Sequence, residues 1–461
     1  MNVVAQAWSR WHKFTAVIIL LVGILAQAQE AVPAVGYLAE ALKRESVALE
    51  DTTDLDPLMD RIGDARYVLL GEASHGTSDY YIWRARISQR LIEEKGFSVV
   101  AVEGDWPDLY RVNAYVKNRP GSGRTAYDVL NTFERWPTWM WANWEVVAFV
   151  EWLREYNNGL PEMDKVGFYG LDVYSLWASL DAVLTYLERE KPALLDVAEQ
   201  VQTCFEPYAE DEQAYARATL SGASCEAEAT ALLKALRSNQ GLEDPEVRFD
   251  AEQNAFTIVN AERYYRAMMT GGPESWNIRD HHMADTLGRL LAQRGPGARA
   301  IVWEHNTHVG DARATTMAEE GMVNIGQLMR QKHGDKEVVL VGFGSHRGSV
   351  IAAEAWGAEM ERMRVPEAQA ASWEAAFHEA LGNDGLMILN ALETSNAAFE
   401  TRGHRAIGVT YDPEFEIFNY VPTVLPRRYD AFVYIEKTEA LHPLHMGPSG
   451  SRPPQLYPWG F

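Results

Sequence analysis

The chain contains no G-x-S-x-G nucleophile elbow, no H-E-x-x-H helix, no Walker loop and no G-x-G-x-x-G dinucleotide fingerprint. A serine elbow, a zincin helix, a phosphate-cradling loop and a Rossmann cofactor site are therefore without support. Cysteine is scarce: Cys204 and Cys225 are the two in 461 residues, and no C-x-x-C pair exists. Positive charge is also short. Lys and Arg number 42 against 65 Asp and Glu, a formal net charge of -23. Phosphate backbones are bound by clustered Lys and Arg, so this deficit argues against a nucleic-acid partner and disfavours anionic membrane surfaces. No internal repeat and no long low-complexity tract is found. What is abundant is core material: 47% of residues are hydrophobic, with 15 Trp, 20 Tyr and 15 Phe, which excludes disorder.

The N-terminus follows the order of a secretory signal. Arg10, His12 and Lys13 precede the apolar run Phe14 to Leu25, and Ala26 and Ala28 follow in an A-x-A pattern. The run falls short of the ~20 apolar residues of a membrane span. Residues 1–28 are expected to be a signal peptide, giving an exported, periplasmic protein with no stable span after processing. In an oxidising compartment Cys204 and Cys225 can close a local loop; two free, half-buried thiols are the alternative, and the sequence leaves both open.

Apolar runs recur along the mature chain: "ARYVLLGE", "FSVVAVEGD", "KVGFYGLD", "ARAIVWEH", "EVVLVGFGSH" and "YDAFVYIE". They are continuous rather than alternating, as in strands covered on both faces. Helical patterns such as "DYYIWRARISQRLIEEKG" separate most of them. The expectation is an α/β fold: a central, largely parallel sheet flanked by helices, with an inserted helical lobe. Residues 29–174 form the first part of the α/β domain, 175–295 the helical insertion, 296–444 the second part and 445–461 an irregular tail.

Acids and histidines cluster at the ends of these runs: Glu72 and His75, Glu103 and Asp105, Asp172, then Glu304, His305 and His308. Ligands of open α/β sheets bind beyond the carboxyl ends of strands, so these groups are expected to converge. Such a set can bind a divalent metal, or can activate water directly with carboxylates orienting imidazoles. Asp105 and Asp172 read equally as site residues and as helix caps. His346 reads as structural, and His281 and His282 as packed or solvent-facing. The aromatic stretch "FERWPTWMWANW" is read as a core helix in preference to the floor of a cleft.

"LLGEASHGTSDYYIWR", "VAVEGDWPDLYRVN", "FYGLDVYSLW", "RDHHMADTL", "VWEHNTHVGDAR" and "YDAFVYIEKTEALHPL" together resemble the erythromycin esterase family, in order from Tyr37 to Leu444. The resemblance implies hydrolysis of an ester or lactone, with macrolide opening, an antibiotic-resistance reaction, as the best-known case. It also implies chemistry without a metal or other cofactor. It assigns the catalytic set to His75, Glu72, Arg84, Glu103, His305 and His308. On this reading His75, oriented by Glu72 or Glu103, takes a proton from water; Arg84 and His308 stabilise the oxyanion or protonate the leaving alkoxide. The partner is a small ester or lactone. Two alternatives are kept: a metal-dependent hydrolase using His75, His305, His308 and Glu103, and a periplasmic ligand-binding protein.

Overall fold

The computed structural model describes residues 32–208, 211–239, 244–394 and 396–446. The expected signal peptide, and the tail beyond residue 446, lie outside the described residues. No helix among the described residues is long and apolar enough to cross a membrane.

Six parallel strands form the centre of a nine-stranded sheet, and they are the six apolar runs. They are β2 (Tyr67–Leu70), β3 (Val99–Asp105), β4 (Gly167–Asp172), β5 (Ala300–Trp303), β6 (Val338–Ala353) and β11 (Ala431–Thr438). Their spatial order is β11-β6-β2-β5-β3-β4. Antiparallel strands complete the β11 edge: β8 (Gly385–Ile388) pairs with β11, and β1 (Ser46–Ala48) pairs with β8. The sheet is thus mixed but mostly parallel, as expected. One strand outruns its reading. β6 continues past His346 because β7 (Met360–Val365) pairs antiparallel with residues 348–353 and forms a projecting arm.

The continuous hydrophobicity has a simple cause. Alternate residues face opposite sides, and both sides are covered by helices. Val68, Leu70, Val100, Val102, Ile301 and Trp303 belong to one buried cluster. Tyr67, Leu69, Val99, Ala101, Ala300 and Val302 belong to the other. The helix Ser78–Lys95 follows β2 and ends at Gly96, whose φ of 68° is the left-handed conformation a helix stop uses.

Helices from Leu176 to Arg294 lie between β4 and β5 in the chain. Several of them surround a separate apolar cluster that includes Leu180, Val183, Phe205, Leu232 and Ile258. The helix Glu274–Arg294 leaves this cluster and lays Met283, Leu287 and Leu291 on the sheet. The aromatic stretch Phe133 to Trp144 is not a helix. A single turn, Thr138–Met140, interrupts it, and the next helix starts at Trp144 with the Asn143 side chain accepting the Val146 N–H. Pro137 has no N–H to give and precludes a regular helix through the segment.

Cys204 and Cys225 are joined in a disulfide that ties the helix Leu195–Phe205 to the start of the helix Glu226–Ser238. Closing a loop of this length restricts the unfolded chain by about 3 kcal/mol. Reduction, or the double substitution Cys204→Ser and Cys225→Ser, is therefore expected to lower unfolding stability by about 3 kcal/mol in urea titrations. Coincident curves with and without reductant would show that the bond does not form.

Candidate active site

The site begins where β2 ends. Gly71 is followed by Glu72, and the chain then turns through Ser74, His75 and Gly76. The turn has no slack. Ile351 and Leu441 both donate their N–H groups to the Gly76 carbonyl, and Ile407 donates to that of Ala73. A Cβ at Gly76 would collide with the backbone of Ile351. The loop is clamped, so Glu72 and His75 have fixed directions. His75 Nδ1 lies 2.9 Å from Glu72 Oε1. With Nδ1–H donating to the carboxylate, Nε2 carries the lone pair, which is the tautomer of a general base.

Arg84, one turn and a half into the following helix, lies 2.8 Å from the other Glu72 oxygen. It is fully buried, with its guanidinium 4.2 Å from the Tyr81 ring centre and 5.0 Å from that of Trp303. It does not line the cavity. The expected direct contact between Arg84 and an oxyanion does not follow from this placement. The helix presents Arg84 to its packed face, behind Glu72, where it fixes the carboxylate that fixes His75.

The neighbouring strands supply a second group. Glu103 on β3 accepts the His305 backbone N–H through Oε2 at 2.8 Å, and its Oε1 lies 2.6 Å from Arg279 Nη2. Arg279 also donates to both oxygens of Asp172, at 2.9 and 2.7 Å, and to His308 Nε2 at 2.9 Å. His308 Nδ1 is 3.0 Å from each Asp280 oxygen, and its ring stacks on Trp276 at 4.4 Å. Since Nε2 accepts from Arg279, Nδ1 is the donor to Asp280. His305 lies beside His75, ring centres 4.8 Å apart, and its Nδ1 accepts from the Thr307 N–H.

The structure thus brings Glu72, His75, Glu103, His305 and His308 to one place and sets Arg84 just behind. Asp172 joins them as a partner of Arg279, and Asp105 pairs with Arg135 at 3.1 Å. Arg279, Asp280 and Trp276 were not singled out from sequence, although Arg279 and Asp280 open the stretch "RDHHMADTL". Its histidines play no such part: His282 is buried against Phe256, and His281 is exposed.

Much of this constellation borders a cavity of about 1080 Å³, with Glu72, Arg84 and Asp280 behind its lining. His75, Glu103, His305, His308 and Arg279 form its polar end. Phe133, Trp136, Met140 and Trp141 line it from the aromatic stretch, whose Trp139 and Trp144 are buried in the core, so the stretch is both core and cleft wall. The exposed Trp356 and Phe418 stand at its margin.

Burial sets the charges. It would lower the His75 pKa, but the Glu103 carboxylate and the hydrogen bond to Glu72 outweigh it and leave His75 above its ordinary value. His305 goes the other way, well below its ordinary value, because burial acts together with the neighbouring His75. Burial also opposes ionisation of Glu103, yet His308, Arg279 and His75 hold its carboxyl far below the usual range. Asp105 is pushed up to about 6 by burial. Glu304, fully buried with neither oxygen hydrogen-bonded, is driven well up by burial and by Glu103. One cleft therefore holds an imidazole with a raised pKa, a second imidazole beside it with a lowered one, and a carboxyl held far below the usual range.

A sequence model described as erythromycin esterase matches residues 92–438. Erythromycin esterase type II of Escherichia coli is 30% identical over 123 residues, so the match spans about a quarter of each chain, 26%. A succinoglycan biosynthesis protein of known structure superposes with a TM-score of 0.72 at 21% identity, over 88% of this chain and 97% of that one. A Bacillus cereus protein gives 0.74 at 20%, over 88% and 98%. An erythromycin esterase mutant in its open conformation gives 0.63 at 16%, over 85% and 95%. At these identities the superpositions establish the shared fold.

If Glu103 raises the His75 pKa, its removal has a defined sign. Glu103→Gln deletes a negative charge and leaves the Arg279 charge less compensated, so the His75 imidazole is expected to titrate at lower pH than in the parent. A heteronuclear NMR titration of His75 reads this directly. A midpoint unchanged by the substitution would show that the two groups are not coupled.

Proposed function

The chain belongs to the erythromycin esterase family, and from that premise we propose that its cleft hydrolyses an ester or macrolactone by water activated at His75, without a metal. The observation that carries the reading is the Arg84–Glu72–His75 series. A buried cation fixes a carboxylate, the carboxylate fixes an imidazole tautomer, and the free ring nitrogen belongs to a residue lining a large, aromatic-walled cavity.

Water held at His75 Nε2 gives its proton to that nitrogen while its oxygen bonds to the ester carbonyl carbon. The carbonyl π electrons move to oxygen, and Arg279, the charged donor at the polar end, stabilises the oxyanion. The oxyanion collapses, the carbon–alkoxy bond breaks, and the alkoxide takes the proton now on His75. One water is added overall. The neutral His305 beside His75 supplies a second hydrogen-bonding imidazole. The walls suit a bulky, largely apolar alcohol or lactone ring, which supports macrolides as the first substrates to try.

The experiment is incubation with a macrolide and a panel of neutral esters, read by mass spectrometry. The expected product is heavier by one water, and its formation persists after prolonged EDTA treatment. His75→Asn keeps size and some hydrogen bonding but cannot accept the proton, so kcat is expected to fall by about 10²–10⁴-fold with KM little changed. The parent kcat should rise with pH through one ionisation above the ordinary imidazole value, since the base works only when neutral. His75→Asn with parental kcat and an intact melting curve would remove the base from the mechanism. Loss of activity to EDTA, restored by zinc or manganese in His378→Ala as well as in the parent, would replace it with a metal-dependent one.

We also propose export to the periplasm. The charged, apolar, A-x-A order of the N-terminus supports it, as does a disulfide of the kind that persists in oxidising compartments. N-terminal sequencing is expected to find mature protein beginning near Gln29; intact Met1 on cytoplasmic protein would refute it.

A further inference from the structure

A second histidine cluster lies outside the cavity lining. His346 on β6, Glu436 on β11 and His378 on the helix Trp373–Ala380 bring one ligand atom each to within 4.8 Å of the others. In the β11–β6 register Ile435 pairs with Ser345 and Lys437 with Arg347, so Glu436 and His346 lie abreast on neighbouring strands. Main-chain hydrogen bonding therefore fixes two of the three positions. The His346 and His378 rings stack at 3.8 Å. His378 Nδ1 lies 2.9 Å from Glu436 Oε2, which also accepts the Tyr434 hydroxyl at 2.7 Å. His346 is 5% exposed, and its Nδ1 is buried with no hydrogen-bond partner.

Two imidazoles face to face beside a carboxylate, one with an orphaned buried nitrogen, form an arrangement that hydrogen bonding alone leaves incomplete. A buried polar atom without a partner calls for an absent water or ion. We propose that His346, His378 and Glu436 form a binding site for a divalent cation of the zinc class, which fastens β6, β11 and the helix together. Two nitrogens and one carboxylate oxygen suit zinc, with water completing the tetrahedron.

The three ligand atoms must draw in. A tetrahedral ion with bonds of about 2.1 Å holds its ligands roughly 3.4 Å apart. His378, whose side chain is 43% exposed, is the arm with room to turn out of the stack. Arg347, with Nη2 3.9 Å from Glu436 Oε1, is the competing cation and is itself half exposed. None of the three ligands borders the catalytic cavity.

The test uses intact protein stripped with chelator and titrated with zinc chloride, read by calorimetry, native mass spectrometry and thermal melting. Because His75 and His305 could also take zinc, the variants are His378→Ala, Glu436→Gln and His305→Asn. His378 is exposed enough for its replacement to leave the fold intact, which the melting curve without zinc checks. The expected result is one zinc bound by the parent with a rise in melting temperature. Affinity should weaken at least about tenfold in His378→Ala and in Glu436→Gln, and persist in His305→Asn. No zinc on the parent, parental affinity in His378→Ala, or loss of binding in His305→Asn would each overturn the proposal.

Discussion

One guanidinium ties the cleft together. Arg279 bonds to Glu103 on β3, to Asp172 at the end of β4 and to His308 just past β5. These three strands are neighbours in the order β5-β3-β4, and Arg279 reaches them from the far end of the helical stretch that separates β4 from β5 in the chain. Breaking a buried pair by removing one partner is strongly destabilising, about 3–5 kcal/mol, because it strands the other charge. Here Glu103 and Asp172 share a single cation, so the helical stretch meets the sheet through the same contact that shapes the site.

The two imidazoles side by side in the cleft show environment dividing labour. His75 and His305 are of the same type, both buried and 4.8 Å apart. His75 has two carboxylates acting on it, one through a hydrogen bond, and its pKa rises. His305 spends its Nδ1 on the Thr307 backbone and has a second imidazole as its nearest charge, and its pKa falls. A protonated His75 disfavours a proton on His305, which adds to the burial that lowers the His305 pKa. Pairs whose environments push their pKa values apart mark acid and base roles.

The strands of the parallel sheet were legible because their helix-covered faces demand unbroken runs of Val, Ile and Leu, and a run with no polar break reads plainly. The edge was not. β1, β7 and β8 are short or partly exposed, and "SVA" or "GLMI" carries too little pattern to separate from a loop. The site types at the strand ends were legible too, because a strand fixes where its last residue goes. Arg84 illustrates the limit: a helix position shows which face a residue shares, not whether that face meets the cleft or the back of Glu72. Arg279 shows a different one. "RDHHMADTL" drew attention to its histidines, yet the long reach of the arginine makes it the residue that spans three strands. The aromatic stretch was half legible, because tryptophan content is the same whether rings fill a core or wall a cavity, and these do both; only Pro137 argued against the helix.

The strand ends concentrate Glu103, Asp105, Asp172 and Glu304 in one buried region, an arrangement that left alone would repel itself apart. Each carboxyl is settled differently. Glu103 and Asp172 share Arg279, Asp105 takes Arg135 and still rises to about 6, and Glu304, with neither oxygen hydrogen-bonded, is driven well above its ordinary pKa by burial. Compensation is therefore incomplete by design of placement: Glu103 keeps enough field to reach His75 across the cleft. Burial would otherwise strip His75 of its affinity for protons, as it does for His305. Excess negative charge at the sheet's carboxyl end is thus the condition for a basic imidazole in an aromatic-walled cavity. Of these acids it is Glu103, together with Glu72, that holds the His75 pKa up against burial.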